Sequence, residues 1–362
     1  MKSKRKIYID TAKGLGIILM MMSHSCGFPI IGGIANAYYM PMFFIISGYN
    51  FHKGKSLKND IEKREKRLIG AYFTYSIIGM MIFMIMSIFN KTFSIYSNIL
   101  RNIISMLYSR AWLFRGDVAN NIYFSVGGHF PLWFFTSMAT AMIIFIVAVY
   151  ALPKNKASYM MAMLGMVLAT GLLSYLPILL PWSVDMAFLS AFFIMVGYIL
   201  GQADFFEKLT KYKFIVVIVI AAIIYAICYY FNPDTAYSVG ILGDHNGFID
   251  AFNFAGQGIF GSIVVITICK LFEHNIIGKM FAVVGRHSII IFGLHLFGFT
   301  FIDNIYGKFG ISPTVHGVIR ASDLFKIAVV AALLVAIDVL FGKLKNIIKE
   351  RISQGRQPKE AI

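Results

Sequence analysis

Ten stretches of about 20 predominantly apolar residues recur along this chain, and each is long enough to cross the hydrocarbon core of a bilayer as a helix. They fall at about residues 8–26, 34–51, 68–89, 131–151, 158–176, 184–202, 214–231, 251–270, 286–302 and 324–342. Inside lipid no water satisfies backbone N–H and C=O groups, so apolar runs of this length are read as helices, which bond internally. Charged residues make up only 14% of the 362 positions, against about 25% in a soluble domain, which leaves too little polar surface to clothe a water-facing globule. The expectation is an all-α polytopic membrane protein of about ten transmembrane helices. A single transmembrane domain covers 1–342, and a basic tail covers 343–362.

The basic residues set an orientation. With the N-terminus in the cytoplasm, 25 of the 33 Lys and Arg fall in inward segments and 6 in outward ones, while Lys13 and Lys326 lie within spans. That asymmetry places both termini inside. The net charge of +16 is thus an orientation signal facing anionic lipid, and nucleic acid is not an expected partner. The basic start at Met1–Lys6 resembles a signal peptide, but Ser23-His24-Ser25-Cys26-Gly27 lacks a small-residue cleavage pattern, so the first helix is expected to be retained. Cys26, Cys228 and Cys269 have neither a metal-like nor a CxxC spacing, and no disulfide or metal site is expected. Residues 90–130 carry aliphatic side chains among Arg101, Arg110 and Arg115 and read as an amphipathic surface helix, an interfacial anchor or a cap on a binding site.

Charged groups inside a span cost roughly 2.5–3.5 kcal/mol each at a helix centre, and the first span holds Asp10, Lys13 and His24. At 100° per residue, Lys13 and His24 differ by about 20° in phase, and Asp10 lies about 60° from Lys13, so the three share a face. Lys13 and His24 are about 16 Å apart along the axis, with the lysine toward the cytoplasm. Gly14 and Gly16 flank the stripe and allow close approach of a backbone or a slender ligand. Asp10 with Lys13 is also a plain i,i+3 ion pair, and His24 a satisfied interior histidine. On one face, the three together favour a polar path through half the bilayer.

The stretch Tyr8 to Ile17, continued by Met22-Ser23-His24-Ser25, resembles the opening motif of the acyltransferase 3 family, a basic residue followed after ten residues by a histidine. Here these are Lys13 and His24, with lysine where many members have arginine, a form most similar to fucose 4-O-acetylases and related glycan acetylases. Further similarity runs through Pro41-Met42-Phe43-Phe44-Ile45-Ile46-Ser47-Gly48-Tyr49, the basic segment Arg64–Arg67, Leu132-Trp133-Phe134-Phe135, and Gly285-Arg286-His287-Ser288 through His295. The resemblance implies a bacterial inner-membrane enzyme that moves acetyl or another acyl group from cytosolic acyl-CoA, acetyl-CoA above all, to a hydroxyl of an envelope polysaccharide or its lipid-linked precursor.

Such a transfer needs a base, groups for the oxyanion and a hold on the donor. His24, whose side chain has an ordinary pKa of about 6.5, is the expected base or, alternatively, an acyl-carrying nucleophile. Lys13 is the expected electrostatic support, oriented by Asp10, and His295 is a further catalytic candidate. Lys63, Arg64 and above all Arg67 are placed to meet donor phosphates, although plain positive-inside charge explains them equally. His129 and Trp133 are candidates for orienting a sugar, or for interfacial anchoring. Ser47 and Tyr49 are substrate-binding candidates that close helix packing around Gly48 would also explain, while Asp244 and His245 read as turn residues. Expected partners are the bilayer, acyl-CoA, a carbohydrate acceptor and, in an assembly, a second copy as a homo-oligomer. The rival reading is a transporter or flippase using the Asp10, Lys13 and His24 path.

Overall fold

The computed structural model describes residues 5–26, 34–89, 95–115, 120–124, 132–232, 247–311 and 319–354. Among them no strand forms, and the helices are α1 (Ile7–Cys26), α2 (Tyr39–Tyr49), α3 (Leu57–Phe89), α4 (Ile95–Tyr108), α5 (Trp133–Ala151), α6 (Lys156–Leu173), α7 (Val184–Gln202), α8 (Lys211–Phe231), α9 (Gly247–Leu271), α10 (Ile276–Arg286), α11 (Ser288–Lys308) and α12 (Ala321–Gln354). Among the described residues seven helical segments are long and apolar enough to cross a membrane: α5, α6, Pro181–Gln202, Tyr212–Phe231, α9, α11 and Ala321–Arg351. They coincide with the last seven expected spans. The first three fall on α1, on the 11-residue α2 and on the 33-residue α3. The protein is an all-α, multi-pass membrane protein.

Two kinds of surface distinguish the helices. α8 carries Ile215, Val219, Ile220, Ile223 and Ile227 exposed among the described residues, an apolar face suited to lipid. α7 is apolar almost all round and buried, with Phe193, Ile194 and Met195 sealed in the core beside Phe44, Phe145 and Phe254. α4 is amphipathic in the inverted sense: Asn102 and Ser105 are buried, while Leu100 and Leu107 face outward. A helix with its polar side on protein and its apolar side open is suited to the membrane boundary. Asparagine side chains cap two helix starts, Asn155 accepting from the Ser158 N–H and Asn275 from the Gly278 N–H, each at 2.8 Å.

Glycines decide how the bundle closes. A Cβ on Gly285 would lie 1.8 Å from the carbonyl oxygen of Asp10, and one on Gly14 1.9 Å from that of Phe281. Thus α1 and α10 cross backbone on backbone, as small-residue crossings in membranes permit. Gly48 and Gly197 make the same arrangement for α2 and α7, with Ile194 and Ile45 carbonyls at 1.8 and 1.9 Å from the added Cβ. α1 packs on α2, α9, α10, α11 and α12, so the helix with the intramembrane charges lies at the centre of the bundle.

Candidate active site

Near the N-terminal end of α1, Asp10 is buried and takes two cations. Lys13 Nζ lies 3.2 Å from its Oδ1, and Arg5 bonds its Oδ2. Each carboxylate oxygen thus has a charged partner, which offsets the cost of burying it. The close approach of Gly14 and Gly285 brings α10 against this turn. His287, at the junction of α10 and α11, sits with Nδ1 2.6 Å from Asp338 Oδ2 of α12, which anchors the junction between Arg286 and Ser288.

A cavity of about 770 Å³ opens here, lined by Arg5, Lys6, Asp10, Lys13, Tyr49, His52, Arg67, Asp204, Glu207, Arg286 and Ser288 among others. Its five Lys and Arg exceed its three carboxylates by two. The first turn of α11 adds Ser288 and Ile289 to the wall, and the positive end of a helix dipole favours an anion. Glu207 braces the rim: it accepts from Tyr8 Oη at 2.9 Å, Lys6 lies 3.2 Å away and Lys270 3.0 Å. Burial works to raise the Glu207 pKa, but hydrogen bonds from Lys270, Tyr8 and Lys6 outweigh it and hold the carboxyl below its ordinary value. Burial likewise opposes the charge on Lys6, and the Glu207 bond reverses the balance, leaving its pKa raised.

A second cavity of about 410 Å³ shares Lys13, Arg67, Ser288 and Ile289 with the first. Lys63, Arg64 and Arg67 stand on its wall, and Ile17, Phe43, Ile46, Phe134, Phe135, Met138, Met142 and Phe292 make the rest largely apolar, with Ser47 as a further polar group. Arg64 is held by Asp60 and lies over the Phe51 ring at 4.3 Å. The two cavities adjoin, one charged and the other largely apolar, a pairing that suits a ligand with an anionic head and a slender tail.

Beyond the second cavity lies a histidine pair. The rings of His24 and His295 are 5.2 Å apart, tilted by 39°. His295 is fully buried, with Nδ1 3.0 Å from the Phe292 carbonyl and 3.1 Å from that of Ile291. Carbonyl oxygens only accept, so Nδ1 carries a proton, and in the neutral ring Nε2 bears the lone pair. That Nε2 is buried with no hydrogen-bond partner among the described residues. His24 itself is only partly buried.

The expected stripe is therefore divided. Asp10 and Lys13 line the first cavity, whereas on α1 the second cavity's lining stops at Ile17, about 10 Å short of His24. Arg67 lines both cavities, Lys63, Arg64 and Ser47 the second, and Tyr49 the first. Gly48 fulfils the packing expectation for its segment while its neighbours face the cavities. Trp133 is buried at the start of α5, edge-on to Phe134 at 6.4 Å. His129, Asp244 and His245 lie outside the described residues. Sequence reasoning missed Arg5, Lys6 and Arg286 because it counted them as orientation charges, and it missed Phe292 because a phenylalanine in an apolar run carries no signal.

Neither a curated protein nor a solved structure matches the chain. A family model described as an acyltransferase domain matches residues 6–341, which takes in every residue of both cavities except Arg5, together with the histidine pair. The chain belongs to the acyltransferase 3 family, and it is a multi-pass membrane acyltransferase.

Proposed function

We propose that the protein is an O-acetyltransferase that takes its acyl group from acetyl-CoA at the basic face of the bundle and passes it to a hydroxyl of an envelope glycan or lipid-linked precursor. The basic face is then cytoplasmic, with both termini inside a bacterial inner membrane. The observation that carries this reading is the pair of adjoining cavities, one charged and one largely apolar, that share Lys13, Arg67, Ser288 and Ile289, the second being lined by Phe292, whose ring lies 6.3 Å from that of His295. An acyl-CoA has this polarity: phosphates at one end, a thin arm and a thioester at the other. Arg5, Lys6, Arg67 and Arg286, with the start of α11, would meet the phosphates. Ser47 and Ser288 are polar groups available to the arm. The glycan acceptor is supported by the resemblance of the lysine form of the α1 motif to fucose 4-O-acetylases and related enzymes.

In the transfer, a glycan hydroxyl attacks the thioester carbonyl while His24 takes its proton. The tetrahedral intermediate collapses, the C–S bond breaks, and the thiolate leaves as a thiol with the proton that His24 held. The ester and free thiol are the products, so the histidine is unchanged over a cycle. His295, whose ring packs beside that of His24 with its Nε2 lone pair unpartnered among the described residues, positions the base by ring contact and would accept the His24 N–H if the rings shift to meet. Asp10 and Arg5 keep Lys13 in place at the wall shared by the two cavities, where its charge favours an anionic donor.

Purified protein in nanodiscs, given acetyl-CoA and envelope glycan, tests this. Release of free thiol that requires the glycan supports the reading. Solute flux without acyl transfer would favour a transporter.

A further inference from the structure

Between the second cavity and the histidine pair stands a layer of aromatic rings. Phe292 lines the cavity, and its ring centroid lies 4.9 Å from that of Phe134, 5.3 Å from Phe135 and 6.3 Å from His295. Phe134 is in turn packed on Phe44 at 5.2 Å and on Phe43 at 5.9 Å. Along α11, Ser288, Phe292, His295 and Phe299 fall within about 60° of one another, so one helix face leads from the cavity, past Phe292, to the buried histidine. The far side is closed as well: Phe299 is buried and edge-on to His295 at 5.7 Å.

We infer that Phe292 determines which acyl groups the enzyme accepts. This rests on the acyl-CoA reading above. A donor advancing from the charged mouth presents its acyl group first, and that group meets Phe292 one helical turn before His295. The rings around it hold one another at packing distance, and close-packed interiors yield poorly to added volume. An acetyl methyl group displaces these packed rings least, and each further methylene must push a buried ring further aside. Pockets of this kind discriminate by about 10-fold or more per methylene. Sequence position alone gives no hint of this role, because Phe292 is one apolar residue within an apolar span.

The test is the ratio of kcat/KM for butyryl-CoA to that for acetyl-CoA, measured with one glycan acceptor in wild type, Phe292→Ala and Phe292→Trp. Wild type should favour acetyl. Phe292→Ala should raise the butyryl-to-acetyl ratio at least 10-fold, and Phe292→Trp should lower it. Because the ratio is taken within one preparation, it does not depend on the folded fraction, and Phe292→Leu replaces the alanine variant if the latter fails to fold. Phe231→Ala, on an exposed side of α8, should leave the ratio at the wild-type value. Acetyl transfer with an unchanged ratio in Phe292→Ala, or a wild type that uses butyryl-CoA as readily as acetyl-CoA, overturns the inference alone. A wild type that turns over neither thioester overturns the acyl-CoA reading and this inference together.

Discussion

His24 and His295, from opposite ends of the chain, meet with ring centroids 5.2 Å apart. The contact joins the only partly buried ring to one that is wholly buried and fixed by two backbone carbonyls. If His295 orients His24, replacing it should lower turnover by about 10²-fold, within the range for losing general acid–base support, with little change in the KM for donor. Steady-state kinetics on His295→Ala in nanodiscs reads this. A full loss of donor binding with kcat retained would assign His295 to the donor site instead.

The cations of the first cavity should act mainly on binding. Arg67 lines both cavities, and a charge-assisted hydrogen bond contributes about 1.5–3 kcal/mol, so Arg67→Ala is expected to raise the KM for acetyl-CoA about 10-fold or more at nearly constant kcat. The rise should be smaller for a donor analogue lacking the phosphates. A variant whose KM rises equally for both would show that Arg67 does not meet phosphate.

Backbone contact at the glycine crossings gives a contrast in stability. A methyl group on Gly285 or Gly48 would collide with a main-chain carbonyl at 1.8 Å, and neither helix can move without opening the bundle. Gly285→Ala and Gly48→Ala should therefore sharply reduce the yield of folded protein. Gly70→Ala, in α3, meets nothing within 4 Å and should stabilise the helix by about 0.5–1 kcal/mol. Size-exclusion profiles and thermal unfolding in detergent separate the two cases.

Much of this architecture is legible in the sequence because lipid imposes a simple rule on apolar length. The shared phase of Asp10, Lys13 and His24 follows from helical geometry, and the ion pair of the first two is present. The segment 34–51, however, reads as one run, whereas α2 starts only at Tyr39, after a turn, with Pro41 in its first turn; apolarity reports residence in the membrane, not continuity of a helix. The partnership of His24 with His295 is invisible to any local pattern, since it depends on how α11 packs on α1. Cavity-lining cations are hidden for another reason, because the same residue types also set orientation.

Glu65 provides a pH test outside the membrane span. It lies on α3 ahead of the apolar run that begins at Leu68, is buried, and has no hydrogen-bond partner for either carboxylate oxygen among the described residues. Burial pushes its pKa up to about 7. With the folded value above the unfolded one, its contribution is fully present below the ordinary carboxylate range and is lost as pH rises toward and through about 7. Glu65→Gln should flatten that part of the profile, so that the variant unfolds at a higher temperature than wild type at pH 8. Equal pH dependence in both proteins would contradict the assignment.

The most direct measurement follows radiolabelled acetyl from acetyl-CoA in nanodiscs containing wild type or folded His24→Ala protein, with and without envelope glycan. Wild type should place label on the glycan and release thiol in equal amount, only when glycan is present, and His24→Ala should do neither. Full transfer by a folded His24→Ala protein would contradict the account.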